Sequence, residues 1–331
     1  MAKIVVGLGT PHTPLFTLAS QDWTHRADAD YANPHLNLSD GRWLTYEQLL
    51  GERGPLREAA ARPQELERKA VLCEQLLDRS ADELAAAAPD VVVIVGDDHR
   101  ELFGVATQPA FAIYHADALV TSDAYGEDDS PEWIRAMGRG YMMDAHHTIP
   151  GASSFAVELI EGLVDAGVDV TAIAKNDGRR RSGLGHAFGF IVNRLFRARP
   201  TPIVPILLNT YYPPNVPSSA RCYDIGVALR KVIEAIPRDL RVAIIASGGL
   251  SHFVVDEELD LRVINACIHR DAGSLRSVPR SALNSGSSEI LNWILAAGAL
   301  QDLDVRWTEY VPLYRTAAGT GVGAGFVVWG N

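Results

Sequence analysis

The sequence predicts an α/β fold in which helices cover both faces of a central, mixed β-sheet, a layered α/β/α arrangement. Residues 3–9 (KIVVGLG) and 90–98 (DVVVIVGDD) are continuous apolar runs, typical of strands buried on both faces. Short β-branched runs alternate with stretches of helical spacing, as expected for a layered α/β fold. Residues 305–311 and 325–329 follow each other without a helix between them, which favours a mixed sheet.

Taken in chain order, the same patterns predict the individual elements of one domain over residues 1–331. Strands are predicted over residues 3–9, 90–98, 110–114, 169–174, 203–209, 241–247, 305–311 and 325–329. Helices are predicted over residues 64–88, 131–143, 153–166, 185–198, 220–236, 257–270 and 287–297. The first of these helices carries Leu66, Leu77 and Leu84 at helical spacing and ends before Pro89.

The composition excludes several classes of protein. Of the 331 residues, 47% are hydrophobic, which is enough for a large core. The formal charge of -11 disfavours binding to nucleic acids. Cys73, Cys222 and Cys267 form neither a metal-binding pair nor a disulfide framework, which fits a reducing compartment. Since no apolar run approaches the ~20 residues of a membrane span, we expect a cytoplasmic protein that does not bind membranes.

Residues 20–63 differ in character from the rest of the chain. They are polar and aromatic, contain several glycines and prolines, and lack a clear helical or strand periodicity. A long irregular insertion is often functional, as a lid or as the wall of a pocket. The alternative is a surface excursion that packs aromatic side chains such as Trp23 and Trp43 on the body of the protein.

Three histidines come just after three of the predicted strands. They are His12, His99 and His252. Because side chains at the carboxyl ends of strands in an open α/β sheet converge on one crevice, we expect a shared site at that edge. A fourth histidine, His186, follows Gly185 at the start of a predicted helix, where glycine lets the backbone approach a ligand closely. Each histidine taken alone is more often structural than functional.

Glu289 lies near the start of the predicted helix 287–297. A glutamate in a first helical turn commonly caps the helix or interacts with its dipole, so its position alone favours a structural role. Two histidines and one carboxylate, however, form the facial triad that holds Fe(II) in non-haem oxygenases and leaves coordination positions open. The chain can supply these groups.

Five short motifs occur in an order that is found in one enzyme family. They are GLGTPHTP at residues 7–14, VIVGDDHRELF at 93–103, GLGHAFGF at 183–190, SGGLSH at 247–252, and SSEI at 287–290 followed by Trp293. With them the chain resembles the class III extradiol ring-cleaving dioxygenases, including the catalytic β subunit of protocatechuate 4,5-dioxygenase. The resemblance extends from Lys3 to Trp329. The insertion and NTYYPP at residues 209–214 are more similar to the single-chain gallate and 3-O-methylgallate dioxygenase branch.

The resemblance implies an Fe(II)-dependent dioxygenase that inserts both atoms of O2 into a catechol-type ring and opens it. It implies that His12, His99 and Glu289 bind Fe(II), with O2 as co-substrate. His186 matches the histidine that serves as acid and base in this family. The substrate it implies is protocatechuate-, gallate- or 3-O-methylgallate-like.

Further residues are expected around the substrate. The resemblance places a catalytic histidine near the catechol, and His147 is preferred over His146, although the local spacing departs from the family pattern. His252 and Thr13 are expected close to the ligands or the substrate. Arg221 and Arg100 are candidates to bind a ring carboxylate.

Tyr212 and Tyr211 are candidates to hydrogen-bond a phenolic oxygen, or they simply pack.

The expected partner is a small catecholic molecule. Some relatives use a separate small subunit as a lid, but residues 20–63 favour a self-sufficient chain, and a homodimer is a base-rate expectation. The main alternative is a hydrolase in which Zn²⁺, held by the same three residues, activates water. A non-catalytic binding protein is a more distant alternative.

Overall fold

The computed structural model describes residues 1–127, 129–176, 179, 181–197 and 200–331. Its strands are β1 (Lys3–Thr10), β2 (Leu36–Asn37), β3 (Trp43–Leu44), β4 (Val91–Asp97), β5 (Phe111–Tyr114), β6 (Ala118–Val120), β7 (Thr148–Pro150), β8 (Thr171–Ile173), β9 (Ile203–Leu208), β10 (Arg241–Ser247), β11 (His252–Val254), β12 (Asp304–Tyr314) and β13 (Thr320–Gly330). Its α-helices are α1 (Thr24–Ala32), α2 (Tyr46–Arg53), α3 (Pro63–Ala87), α4 (Glu132–Gly140), α5 (Ser153–Asp165), α6 (His186–Leu195), α7 (Ser219–Ala235), α8 (Glu257–Ile268), α9 (Ala272–Arg276) and α10 (Ile290–Ala299).

Within the described residues, nine strands form one mixed sheet. Its order is β11-β13-β1-β10-β4-β9-β5-β8, and β12 pairs with β13. Strands β1, β10, β4 and β9 run parallel to one another, while β13 is antiparallel to β1 and β5 is antiparallel to β9. The carboxyl ends of β1, β10 and β4 therefore lie side by side, which is where the site histidines follow.

Helices cover both faces of this sheet, which confirms the predicted α/β/α layering. Helices α5, α7, α8 and α10 enclose an apolar core on one face, and α3, α4 and α6 enclose another on the opposite face. Alternate side chains of β4 enter the two cores: Val93 and Val95 point to the first, Val92 and Ile94 to the second. Burying each such side chain contributes about 1.5–3 kcal/mol.

Gly9 has no side chain, and this allows α10 to pack close to β1. A Cβ at Gly9 would lie 2.6 Å from Cη2 and 2.8 Å from Cε3 of the buried Trp293 ring. The same indole donates its Nε1–H to the carbonyl of Gly248 at 2.8 Å, which ties α10 to the end of β10. The contact brings the segment that carries Glu289 to the strand end that carries His12.

The expectation of an irregular insertion at residues 20–63 is wrong in detail. The segment contains helices α1 and α2 and the small hairpin of β2 and β3. Helix α2 begins with a capping box, because the Thr45 side chain accepts from the Gln48 N–H at 3.3 Å and the Thr45 N–H donates to Gln48 Oε1 at 2.9 Å. These helices are short and mostly polar, so they carry little apolar periodicity.

Elsewhere the predicted elements agree with the structure within a few residues at their ends. The helix predicted over residues 185–198 ends at Leu195, and residue 198 lies outside the described part of the chain. Three short strands, β6, β7 and β11, were not predicted, because three residues give too little pattern. Among the described residues, no helix is long and apolar enough to span a membrane.

Candidate active site

A cavity of about 510 Å³ lies at the carboxyl ends of β1, β10 and β4. Its wall includes all four histidines singled out by the strand-end and glycine patterns, together with the predicted carboxylate: His12, His99, His186, His252 and Glu289. The structure thus brings together five side chains from five separate segments of the chain. The crevice lies where the sheet topology predicts it.

The neighbours of His12 determine its tautomer. The Ser247 hydroxyl, at the end of β10, donates its proton to the carbonyl of Ala187 at 2.6 Å. Because His12 Nδ1 lies 2.9 Å from the same hydroxyl oxygen, Nδ1–H must be the donor in that bond. In the neutral ring Nε2 then carries a lone pair. This buried atom has no hydrogen-bond partner within the described chain and lies 3.5 Å from Glu289 Oε2.

His252 repeats the arrangement from the other side of Glu289. Its Nδ1 lies 2.9 Å from the carbonyl oxygen of Leu250, which can only accept, so Nδ1 carries the proton. The remaining nitrogen, Nε2, is 3.6 Å from Glu289 Oε2. Two imidazole lone pairs therefore face one carboxylate oxygen. This arrangement is repulsive unless a cation or a proton lies among the three atoms.

Glu289 is buried and does not cap α10. Its Oε2 accepts the backbone N–H of Gly249 at 2.7 Å, and α10 has no side-chain cap at its start. Burial by itself would raise the pKa of Glu289, but positive charge on the neighbouring His252 and His12 outweighs it and holds the pKa below the ordinary value. Glu289 is thus an ionised carboxylate directed into the site, and the structural interpretation of its position is not supported.

Asp97, the last residue of β4, adds a second buried carboxylate. Its Oδ2 lies 2.9 Å from His99 Nε2 without the alignment of a hydrogen bond, and Oδ1 accepts only a long bond of 3.4 Å from Asn292 Nδ2. Asp97, His99 and Glu289 each place one possible ligand atom within 4.8 Å of the others, and so do His12, Asp97 and His186. Asp97 belongs to both groups.

Glu101 holds His186 in place between the two predicted ligand histidines. The His186 ring centroid lies 4.7 Å from that of His12 and 4.6 Å from that of His99. Glu101 Oε1 is 2.5 Å from His186 Nδ1, and Glu101 Oε2 accepts the backbone N–H of His99 at 2.7 Å. A Cβ at Gly185 would lie 2.5 Å from the Glu101 carboxyl carbon, so glycine is needed there.

The Glu101 carboxylate also decides the charge preference of His186. Burial lowers the pKa of the imidazole, but the contact with Glu101 outweighs it and raises the pKa above its ordinary value. With Nδ1 bound to Glu101, Nε2 is the ring nitrogen left to exchange a proton with a ligand.

Two tyrosines complete the wall around the histidines. The Tyr141 hydroxyl donates to the carbonyl of His12 at 2.8 Å, and its ring lies 5.5 Å from the His186 ring. The Tyr211 ring lies 4.8 Å from that of His99, and its hydroxyl is 2.9 Å from Ser285 Oγ. Both rings can pack against an aromatic ligand.

The remaining predicted site residues lie partly inside and partly outside the cavity wall. Thr13 and His252 line the cavity. Tyr212 does not belong to the described wall; it stacks under Arg100, whose guanidinium lies 4.3 Å from the ring centroid. Arg221 is exposed on α7 and is likewise absent from the described wall. Arg221 therefore lies outside the cavity in which the predicted histidines meet.

The predicted catalytic role of His147 also lacks support in this geometry. His147 Nε2 lies 2.9 Å from Asp144 Oδ1, and the exposed His146 places Nδ1 2.7 Å from the carbonyl of Thr121. Neither belongs to the cavity wall as far as the chain is described. His147 is held by a residue of its own loop and His146 by the segment that follows β6, which is the structural alternative for a loop histidine.

Residues 62–326 match the family described as the catalytic LigB subunit of aromatic ring-opening dioxygenase. The chain belongs to this family. It is 32% identical over 111 residues to a gallate dioxygenase of Pseudomonas putida, which covers 30% of this chain and 32% of the relative. It is 26% identical over 167 residues to a 2,3-dihydroxyphenylpropionate/2,3-dihydroxicinnamic acid 1,2-dioxygenase of Comamonas testosteroni, covering 50% of this chain and 44% of the relative.

A third relative is the enzyme of the same name from Mycolicibacterium smegmatis, 29% identical over 186 residues, which cover 54% of this chain and 50% of the relative. The matches thus span a third to a half of the length of these relatives. Membership of the LigB family confirms the predicted resemblance and fold. It favours ring opening over the zinc hydrolase alternative, and the metal dependence of LigB dioxygenases agrees with the donor clusters in the cavity.

Sequence reasoning missed several residues of this LigB-family site, and four of them bear on its chemistry. Asp97 and Glu101 flank His99 in the second motif, so their proximity to a predicted ligand was the available signal. Tyr141 and Arg26 also line the cavity. Tyr141 directly follows α4, and Arg26 lies on α1 of the insertion. No local pattern marks either position.

Proposed function

We propose that this protein is an Fe(II)-dependent extradiol dioxygenase that opens the ring of a catechol-type substrate. The observation that carries the proposal is the convergence of the Nε2 atoms of His12 and His252 on the buried carboxylate of Glu289. His12 Nε2 has no hydrogen-bond partner in the described chain, although it is buried and 3.5 Å from Glu289. A site that gathers lone pairs and negative charge without a positive partner is suited to a metal ion.

The donor set fits a ferrous ion. His12, His99 and Glu289 would hold it as two imidazoles and one carboxylate, the combination typical of non-haem Fe(II) oxygenases. Ser247 supports the fit, because it keeps the proton on His12 Nδ1 and leaves Nε2 for the metal. Bound Fe(II) would supply the redox-active centre at which a catechol and O2 are brought together.

His186 is suited to exchange a proton with the substrate. Its Nδ1 is fixed by Glu101 at 2.5 Å, which orients the ring and stabilises the imidazolium. Nε2 can then accept the proton of a catechol hydroxyl and return it later in the reaction. The adjacent Tyr141 and Tyr211 rings would hold the substrate ring in place, and the buried walls would exclude water.

A protocatechuate-, gallate- or 3-O-methylgallate-like compound is the proposed substrate. The names of the relatives support this class, since one is named for gallate and the others for 2,3-dihydroxyphenylpropionate. The cavity of about 510 Å³ is within the range that small-molecule sites occupy. We further propose that the insertion at residues 20–63 closes the cavity in place of a separate subunit, since α1 contributes Arg26 to its wall. A cytoplasmic location and a homodimer remain proposals.

Anaerobic reconstitution with Fe(II), followed by oxygen-electrode assays on protocatechuate, gallate, 3-O-methylgallate and catechol, tests the function. We expect stoichiometric oxygen uptake and a new ultraviolet–visible product band with at least one of them. Protein loaded with Zn²⁺ is the matched control and should consume no oxygen. Tight Fe(II) binding without oxygen uptake on any of the four compounds would contradict the proposed reaction.

A further inference from the structure

The cavity wall of this acidic protein is rich in arginine. Its described lining includes Arg26, Arg100, Arg179, Arg181 and Arg315. The formal charge of the whole chain is -11, so cations at the cavity run against the average of the molecule. An arginine of this wall is available to a ligand only if its guanidinium is not already bound to a partner within the protein.

Arg315 is fully engaged by a buried carboxylate. Its Nε lies 2.8 Å from Asp30 Oδ2 and its Nη2 lies 3.0 Å from Asp30 Oδ1, so the two side chains form a bidentate salt bridge. The Thr320 hydroxyl donates to the same Oδ2 at 2.8 Å. The pair links α1 to the residue that follows β12 and leaves little net charge for a ligand.

Three other arginines of the wall also have partners. Arg181 Nη2 lies 2.5 Å from Glu127 Oε1. The guanidinium of Arg100 stacks on the Tyr212 ring. Arg179 donates to a backbone carbonyl of the loop after β4. These contacts explain how the three side chains are held, and none of them needs a bound molecule.

Arg26 is the exception among the described arginines of the wall. It lies on α1, its Nε is buried, and that Nε has no hydrogen-bond partner in the described chain. Burial first, and then the neighbouring Arg315, lower the pKa of Arg26. Asp30 contributes the largest compensating charge, but both of its oxygens are bound to Arg315. A half-buried guanidinium next to another arginine is electrostatically unfavourable unless an anion joins it.

Arg26 also lies beside the chemistry of the site. It interacts electrostatically with Tyr141, whose ring is 5.5 Å from that of His186, and with Tyr125, which lines the same cavity. A molecule that contacts His186 and extends along Tyr141 therefore approaches Arg26.

We propose that Arg26 binds a carboxylate carried by the aromatic substrate, and so selects acidic catechols over neutral ones. The inference rests on the proposed ring-opening function and identifies its recognition residue, which is a different arginine from those expected on sequence grounds. A guanidinium presents paired N–H groups that match the two oxygens of a carboxylate. A neutral catechol would leave Arg26 buried and unpaired, so the site discriminates against it.

The test compares the Arg26→Gln variant with the parent protein, both reconstituted with Fe(II). The substrates are protocatechuate and gallate, each paired with its methyl ester, which keeps the ring and removes the charge. We expect kcat/KM of the variant to fall by about 10- to 100-fold for the acids, mainly through KM, and by less than about 3-fold for the esters. The Arg26→Lys variant should lose less activity on the acids than Arg26→Gln, since lysine keeps the positive charge but not the paired N–H groups of a guanidinium.

Arg221→Gln is the matched control, because Arg221 is exposed and absent from the described wall, and it should leave the preference for acids unchanged. An equal loss for acids and esters in Arg26→Gln, or an unchanged preference for acids, would overturn the assignment. If the Arg221→Gln variant lost the preference for acids over esters and Arg26→Gln kept it, the assignment of Arg26 would also be wrong.

A binding measurement separates this inference from the proposed function. Calorimetry with 3,4-dimethoxybenzoate and its methyl ester, which lack free hydroxyls and are not ring-cleavage substrates, uses no turnover. The parent protein should bind the acid more tightly than the ester, and Arg26→Gln should bind both alike. If no catechol supports oxygen uptake, the proposed reaction fails, yet this comparison still decides whether Arg26 binds carboxylates. Equal binding of acid and ester by the parent would refute the inference.

Discussion

Replacing Gly9 with alanine should damage both the stability and the metal site, because this glycine sets the spacing between β1 and α10. The added Cβ would lie 2.6 and 2.8 Å from two carbons of the Trp293 ring and closer still to a third, Cζ3. Ordinary contacts begin near 3.4 Å, so the ring or the strand must shift by about 1 Å. Trp293 is fully buried, and a rigid core resists such a shift.

The expected loss of unfolding free energy is about 1–3 kcal/mol, the range for an overpacked core. The displacement also acts on the site, because Glu289 precedes α10 by one residue and His12 follows β1 by two. Their side chains are 3.5 Å apart, and a shift of about 1 Å would misplace one ligand relative to the other. We therefore expect weaker Fe(II) binding in addition to lower stability.

Urea unfolding of the metal-free protein and a chelator competition for Fe(II) under anaerobic conditions measure the two effects separately. Gly51→Ala is the matched control: it is the same substitution in helix α2, where a Cβ would contact nothing within 4 Å. That change should raise stability by up to about 1 kcal/mol and leave metal affinity unaltered. A Gly9→Ala protein with parental stability and metal affinity would refute the proposed spacing role.

Four further predictions follow from the site and the core. His186→Ala should retain stoichiometric Fe(II) but lose about 10²–10⁴-fold in kcat; equal loss of iron would make it a ligand. His12→Ala and Glu289→Ala should each abolish tight Fe(II) binding, measured by metal analysis after gel filtration, and retained iron would contradict the ligand set. Asp97→Asn should weaken Fe(II) binding by about 10–100-fold, since it removes a buried negative charge beside His99; unchanged affinity would assign Asp97 a purely structural role. Burial raises the pKa of the Cys73 and Cys267 thiols to about 12 and raises that of Cys222 further. The native protein at pH 8 should therefore contain almost no thiolate and react slowly with Ellman's reagent. After unfolding, all three thiols should react.

The structure also shows how much of the site depends on residues that do not contact the metal or the substrate. Ser247 chooses the tautomer of His12, and Glu101 binds His186 and the backbone of His99 at once. Hydrogen bonds of this kind orient ligands and acid–base groups and are commonly as important as the groups themselves.

The elements that carry the site were predictable from local pattern. Strands β1, β4 and β10 are continuous apolar runs, and each is followed by a histidine within a few residues. A strand that is buried on both faces is recognisable because nearly every side chain along it is apolar. Parallel strands share one carboxyl edge, so His12, His99 and His252 were expected to meet, and they line one cavity.

Other predicted site residues lie outside the described cavity wall, because a local sequence pattern does not encode the direction in which a side chain points. His147 was expected in the site, yet it is held by Asp144 on its own loop, and Arg221 lies exposed on α7. The helices of residues 20–63 were missed because their polar sequences show little periodicity and their stability comes from capping and tertiary contacts.

The sequence by itself determined the layered α/β fold, the family and the strand-end histidines, because these depend on short-range periodicity and on motifs within a few residues. Only the tertiary structure decided which groups face one another across large sequence separations. Asp30 pairs with Arg315, which lies 285 positions further along the chain, and the buried Nε of Arg26 is left without a hydrogen-bond partner in the described chain. Whether a charge is free is a property of its neighbours in space, and those neighbours are set by how the layers pack.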